Sequence, residues 1–283
     1  MKVLLPTSVN EAVSMLDTSR GKTLPIAGGT DLLAHWPEHL DARDQTYLDL
    51  SGVDELCGHT WADDELIMGA RATFWEIVND QRAAAEMRLL VDAARTVGSI
   101  QIQTRGTWGG NIVNASPAAD GVLALMALDA TLELTGVEGT EEVRLDDFYL
   151  GYKQMKRRED QLLTRIRIPR RAYSFQSFTK VGTRKAQAIT KVGLAIAKSD
   201  SGWRVAANSM APTVRRCPGL ERMLEDETPV RNPTDFLPAI HSDVSPIDDI
   251  RSTAAYREHV MARVLFHELA PICPWVDAAS ESE

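Results

Sequence analysis

Thr104-Arg-Gly-Thr-Trp-Gly-Gly-Asn-Ile-Val-Asn-Ala-Ser-Pro-Ala-Ala-Asp120 is where helical patterning stops and small, hydrogen-bonding residues take over. Paired glycines, Gly109 and Gly110, stand among hydroxyl and amide donors (Thr107, Asn111, Asn114, Ser116), and a single carboxylate, Asp120, closes the stretch. A second stretch of the same make-up lies upstream, Pro25-Ile-Ala-Gly-Gly-Thr-Asp-Leu-Leu33. A short strand ending in two glycines and opening a helix leaves backbone N–H groups uncovered, which suits an anion such as a pyrophosphate. Thr30 adds a hydroxyl. Asp31 is awkward beside a phosphate unless it caps the helix or turns toward a hydroxyl. Neither stretch fits G-x-G-x-x-G or G-x-x-x-x-G-K-[ST], so a Rossmann or P-loop reading is not supported.

Outward from these loops the chain alternates helix and strand. Ser8 to Glu11 has a capping-box pattern opening a helix along Val9, Ala12, Val13 and Leu16. Thr23 to Ala27 and Tyr47 to Leu50 read as strands, making the first fifty-odd residues a small α/β unit. Leu66 to Met68 is a strand, Thr73 to Glu76 a second capping box, and Ala83 to Val97 a helix. Gly121 to Ala127 reads as helix and Ala130 to Leu134 as strand. Leu162 to Ile168 alternates apolar with polar residues, as a half-buried strand does. Beyond residue 173 come strands at 174–181, 188–197 and 203–210, then helical segments near 213–225, 233–240 and 254–269. The domain division that follows is 1–55, 56–170 and 173–283.

The 283 residues carry a net charge of −9, with 44% hydrophobic and 25% charged residues, a soluble composition without a nucleic-acid footprint. No apolar run approaches the roughly 18–20 residues of a membrane span, and the N-terminus is too weakly patterned for a signal peptide. Cys57, Cys217 and Cys273 are far apart and form no C-x-x-C pair. They read as reduced thiols of a cytoplasmic protein, without the ligand sets of an iron–sulfur cluster or a structural zinc. Any redox cofactor held by this chain is then organic.

The motifs PIAGGTDLL and TRGTWGGNIVNASPAAD, followed by DDFYLGYKQMKRREDQLLTRIRIP (146–169) and SFTKVGTRKAQAITKVGLAIA (177–197), closely resemble the medium, FAD-binding subunits of the xanthine dehydrogenase and carbon monoxide dehydrogenase family. The resemblance runs collinearly over roughly residues 1–210. It implies an α+β architecture: an FAD-binding domain of vanillyl-alcohol-oxidase type made of two α/β subdomains, then a C-terminal α+β domain with a three-stranded antiparallel sheet and helices. It places Ala27, Gly28, Gly29, Thr30, Asp31 and Leu32 on the FAD pyrophosphate, with Thr107, Gly109, Gly110 and Asn111 from the second loop and Asp120 against the flavin. Gly98 and Leu163 would approach the isoalloxazine, and Lys191 would supply a cation beside it.

Other readings stay open at single positions. Asp120 fits a helix N-cap, Leu163 a core residue and Lys191 a solvated strand residue. Trp108 stands where the family usually has a small aliphatic residue, and either packs in the core or covers part of the cofactor. His35 follows the first loop, a place where distant relatives attach flavin covalently. The resemblance implies no catalytic acid, base or nucleophile and no metal on this chain. Molybdopterin would lie on a large partner subunit and two [2Fe–2S] clusters on a small one, in an assembly that the family builds as a dimer of heterotrimers. The alternatives are a stand-alone flavin oxidase or dehydrogenase and a flavin-free scaffold that keeps the fold.

Overall fold

The computed structural model describes residues 2–19, 21–34 and 45–277; His35 lies outside them. Strand β1 (Lys2–Leu4), helix α1 (Val9–Thr18), strand β2 (Thr23–Ile26), the short helix α2 (Thr30–Ala34) and strand β3 (Thr46–Asp49) form the first unit. The strands pair in parallel in the order β1-β3-β2. Parallel pairing needs crossover connections, which is why α1 intervenes. Its N-cap is Ser8, whose Oγ accepts the Glu11 N–H at 3.2 Å. The Glu11 carboxylate reaches past Ser8 to accept the Thr7 N–H at 2.7 Å, so the capping pattern is only half reciprocal. Ala12, Val13 and Leu16 bury the inner face of α1 against Leu48, Leu50, Val53 and Leu56.

The second unit runs through β4 (His59–Trp61), β5 (Glu65–Gly69), α3 (Phe74–Val78), α4 (Gln81–Glu86), α5 (Arg88–Thr96), α6 (Ile100–Gln103), α7 (Trp108–Val113) and α8 (Asp120–Ala127). It ends with β6 (Thr131–Gly136), β7 (Gly139–Arg144), the hairpin strands β8 (Tyr149–Gly151) and β9 (Gln154–Met155), and β10 (Leu162–Pro169). Its antiparallel sheet has the order β4-β5-β10-β6-β7. The last strand in sequence is thus the central one. That position buries Leu162, Leu163, Thr164, Ile166 and Ile168 more fully than a half-exposed strand would.

The single helix expected over Ala83 to Val97 is two helices, broken at Met87 (φ −130°, ψ 53°). A side chain from far along the sequence holds the break. Gln176 donates Nε2 to the Glu86 carbonyl (3.0 Å) and accepts the Leu89 N–H on Oε1 (3.1 Å), satisfying groups that a continuous helix would have paired internally. Helical structure also enters the glycine-rich stretch, as α6 and α7, where the sequence pattern showed none.

The C-terminal unit contains β11 (Tyr173–Val181), β12 (Val192–Ser199), β13 (Gly202–Asn208) and a two-residue strand β14 (Arg215–Arg216), antiparallel in that order. The sheet therefore has the three expected strands and a fourth too short to leave a periodic signal. Residues 182–191, of which 188–191 were expected in a strand, form a connecting loop. Helix α9 (Pro218–Glu225) starts at a proline in its first turn, a 3-10 turn at Pro233–Phe236 leads into α10 (Leu237–Asp243), and α11 (Ala254–Leu269) is capped by Thr253. Alternation along β12 divides its two faces by size. Val192, Leu194 and Ile196 enter a core with α9 and α11, while Ala195 and Ala197 join the core around α8. Only small side chains on that second face let the sheet approach the helix. This contact brings the C-terminal unit over the second glycine loop. No helix among the described residues is long and apolar enough to cross a membrane.

Candidate cofactor site

The two glycine loops touch. A Cβ on Gly28 would lie 1.8 Å from the Arg105 carbonyl oxygen, so the first loop packs backbone to backbone against the segment leading into the second. Gly29 follows with φ +70°, the left-handed conformation that glycine adopts without strain. Around this contact lies a cavity of ≈ 510 Å³ lined by Ala27, Gly28, Gly29, Thr30, Asp31 and Leu32, with Thr107, Gly110 and Asn111. It shares Asp31, Val97, Ile102, Asn111 and Asn114 with a larger cavity of ≈ 1150 Å³. The second cavity is walled by Gly98 and Asp120 on one side, and by Lys180, Thr190 and Ser209 from the C-terminal unit on the other. The pair forms one trough running from the first loop to the inter-unit junction, the smaller cavity within the usual size range of ligand sites and the larger slightly above it.

The loops differ in what they offer a ligand. In the second, the first turn of α7 is already satisfied: Trp108 and Gly109 donate their N–H groups to the Ala72 and Ala70 carbonyls (both 3.0 Å), and Gly110 donates to Thr107 Oγ1 (3.0 Å). Gly109 faces Ala70, just past the end of β5, where a Cβ would meet the Ala70 oxygen at 2.5 Å, and it lines neither cavity. The second pair of glycines thus serves close packing more than ligand contact. In the first loop, by contrast, no acceptor among the described residues takes the N–H groups of Gly28 through Leu32. Unpaired N–H groups in a loop that lines a cavity fit a phosphate ligand. A pyrophosphate-bearing cofactor fits this end of the trough.

Asp120 is the first residue of α8, with Ala119 at the cap position. The capping acceptor is Asn111, whose Oδ1 takes the Val122 N–H at 3.1 Å. The buried Asp120 carboxylate receives the C-terminal unit instead. Oδ1 accepts from Thr190 Oγ1 (2.7 Å) and Asn208 Nδ2 (3.0 Å), and Oδ2 from Lys180 Nζ (2.6 Å). Lys180 also donates to the Thr96 carbonyl at 2.9 Å. A carboxylate offers about four lone-pair sites, so Oδ2 retains room for one hydroxyl donor from the trough.

The structure places three of the sequence-selected residues away from the trough: Gly109, Leu163 and Lys191. Leu163 is buried in the core of the second unit, and the Lys191 ammonium lies over the Tyr256 ring at 5.5 Å. Lys180 and Lys153 are the lysines of the trough wall, and Lys180 is the one paired with Asp120. Trp108 is fully buried and tilted against Phe74 (centroids 4.8 Å apart), a core residue. Lys180, Thr190 and Asn208 were not singled out by sequence reading. They reach the site only through the docking of another unit, which leaves no local pattern.

A family model described as the FAD binding domain in molybdopterin dehydrogenase matches residues 1–171, and one described as the CO dehydrogenase flavoprotein C-terminal domain matches 177–271. The chain is 32% identical over 269 residues to the nicotinate dehydrogenase FAD-subunit of Eubacterium barkeri, covering 89% of each chain. It is 28% identical over 267 residues to the carbon monoxide dehydrogenase medium chain of Hydrogenophaga pseudoflava, covering 89% of this chain and 90% of that one. A solved structure of carbon monoxide dehydrogenase from the same organism superposes with a TM-score of 0.85 at 24% identity, over 95% of this chain and 96% of that one. That last likeness establishes the fold.

Proposed function

Since the chain belongs to the FAD-binding subunits of the molybdopterin dehydrogenases, we propose that it works as an electron relay: it receives electrons from the [2Fe–2S] clusters of a small partner subunit and passes them to an external acceptor, NAD or another carrier. Substrate oxidation would take place at a molybdopterin centre on a large partner subunit, the three chains forming a heterotrimer that can pair into a dimer of heterotrimers. FAD suits the relay because flavin accepts electrons singly and releases them singly or in pairs.

The observation that carries this reading is the continuous trough, with open N–H groups at one end and a charged, two-walled junction at the other. Gly28 through Leu32 would hold the diphosphate by backbone donors. Asp120 would accept a hydroxyl of the chain joining diphosphate to ring. We assign to Lys180 the ring-end cation that the family resemblance suggested for Lys191. A positive charge there favours the reduced, electron-richer cofactor and raises its potential. No side chain in the trough needs to act as acid, base or nucleophile; the protein binds, orients and tunes.

The test is to purify the chain after co-expression with its genomic neighbours and denature it to release any cofactor. Released FAD, with iron- and molybdenum-containing subunits co-purifying, is the expected result. A colourless chain that takes up no added FAD would overturn the reading, and a flavin-loaded chain that turns over a substrate alone would replace it with that of a self-sufficient oxidase.

A further inference from the structure

A carboxylate in a diphosphate site needs a reason. Asp31 lines both cavities within the run of open N–H groups of the first loop, and its charge would repel the ligand that those groups attract. Its side chain does not cap a helix. Asp31 Oδ1 accepts from Asn114 Nδ2 at 3.0 Å. On the other side of the same amide, Asn114 Oδ1 and the Asn114 carbonyl accept from Lys153 Nζ, at 2.9 and 2.5 Å. The amide orientation follows from its neighbours: an ammonium can only donate and a carboxylate can only accept, so the oxygen faces Lys153 and the nitrogen faces Asp31.

Lys153 is delivered by the tip of the β8–β9 hairpin, where it adopts φ +57°. The hairpin is pinned to α7 by the Tyr149 hydroxyl, which donates to the Ile112 carbonyl at 2.9 Å. A non-glycine residue in the left-handed region is uncommon and points to a constraint at that position.

We propose that Lys153 is a positioning residue for the cofactor: through the polarised Asn114 amide it supplies the counter-charge that lets Asp31 stand beside a diphosphate. The inference rests on the FAD reading above and adds a residue to it. Lys153 acts through Asn114, so its effect is on the phosphate end and depends on the charge of Asp31.

Four forms of the full chain, stripped of cofactor, are titrated with FAD and with riboflavin, which lacks phosphate: wild type, Lys153→Met, Lys153→Arg and the Lys153→Met/Asp31→Asn double variant. FAD binding by the wild type is measured first, and its failure would overturn the FAD reading and this one together. With that binding in hand, Lys153→Met is expected to weaken FAD by about tenfold at low salt and by less at high salt, with riboflavin affinity unchanged. Lys153→Arg retains FAD affinity, and adding Asp31→Asn to Lys153→Met restores it. Three results would overturn the proposal: unaltered FAD affinity in Lys153→Met, equal weakening of FAD and riboflavin, or failure of Asp31→Asn to rescue. The last would make Lys153 a direct ligand of the cofactor.

Discussion

Individual glycines in the loops have different jobs, and the space around each separates them. At Gly28 a methyl group would overlap a carbonyl oxygen at 1.8 Å, and the obstacle is backbone that cannot swing away. Gly28→Ala should therefore part the two loops, destabilising the protein by about 3 kcal/mol and abolishing FAD retention. Chemical denaturation and the flavin absorbance of the purified variant would check both; a stable, flavin-replete variant would refute the packing account. The two lysines are separable in the same way. Lys180→Met removes the cation facing Asp120 and is expected to weaken FAD about tenfold and move its potential negative. Lys191→Ala, which removes an ammonium from over Tyr256, should leave both unchanged. Spectroelectrochemistry decides which lysine tunes the ring.

Among the elements, the break between α4 and α5 shows how a helix boundary is set from outside the helix. Arg88 to Thr96 continues the apolar periodicity of the preceding turn, so nothing local demands a stop at Met87. The Gln176 amide replaces the missing helical partners of Glu86 and Leu89. Gln176→Ala leaves an N–H and a carbonyl without their partner and should cost about 1–3 kcal/mol, measured by urea unfolding. Gln176→Glu keeps an acceptor for Leu89 but sets a second acceptor against the Glu86 carbonyl, and should cost at least as much as the alanine change. Were both variants as stable as wild type, the break would have to be intrinsic to the sequence around Met87.

At the scale of the molecule, the units are joined by charge as well as by the alanine face of β12. Asp129, at φ +55° after α8 with its side chain 5% exposed, faces Arg171 (2.5 Å) and Arg204 (2.8 Å), with Arg216 at 3.6 Å and Arg144 at 3.8 Å. Asp129→Asn leaves these guanidiniums in mutual repulsion and should destabilise the junction by about 2 kcal/mol, discounted for their partial exposure; added salt should recover part of the loss in a thermal melt. Acid acts on other carboxylates. Burial alone would raise Asp80, Asp146 and Asp249, but hydrogen bonds and cations outweigh it: Trp61, His59 and backbone N–H groups at Asp80, Arg144 at Asp146, and backbone N–H groups with Arg257 at Asp249. All three end below the ordinary value of 3.8. Lowered carboxylates stabilise the fold fully above their unfolded values and lose that contribution as pH falls through the folded ones. Stability should thus be flat with respect to these groups above about pH 5 and fall steeply below about pH 4. Stability unchanged down to pH 3 in an acid titration would show that these bonds do not distinguish folded from unfolded chain.

What the sequence determined by itself was what local chemistry can encode: the glycine pairs, the Thr73 capping box, the strands with clear alternation, and the order of motifs that marks the family. The open N–H groups of the first loop were legible because strand, glycine pair and helix start are contiguous. Tertiary structure alone decided that Gly109 spends its N–H group on the Ala70 carbonyl just past β5, that β10 is a central strand, and that Lys180 pairs with Asp120 in the trough wall. Each of those depends on partners distant in the chain: Ala70 and Ala72 for α7, the flanking strands for β10, and the docking of β11–β13 onto Asp120. A one-dimensional pattern reports which groups a segment carries. Which of them remain free for a ligand is settled only when the rest of the chain has taken its share of hydrogen bonds.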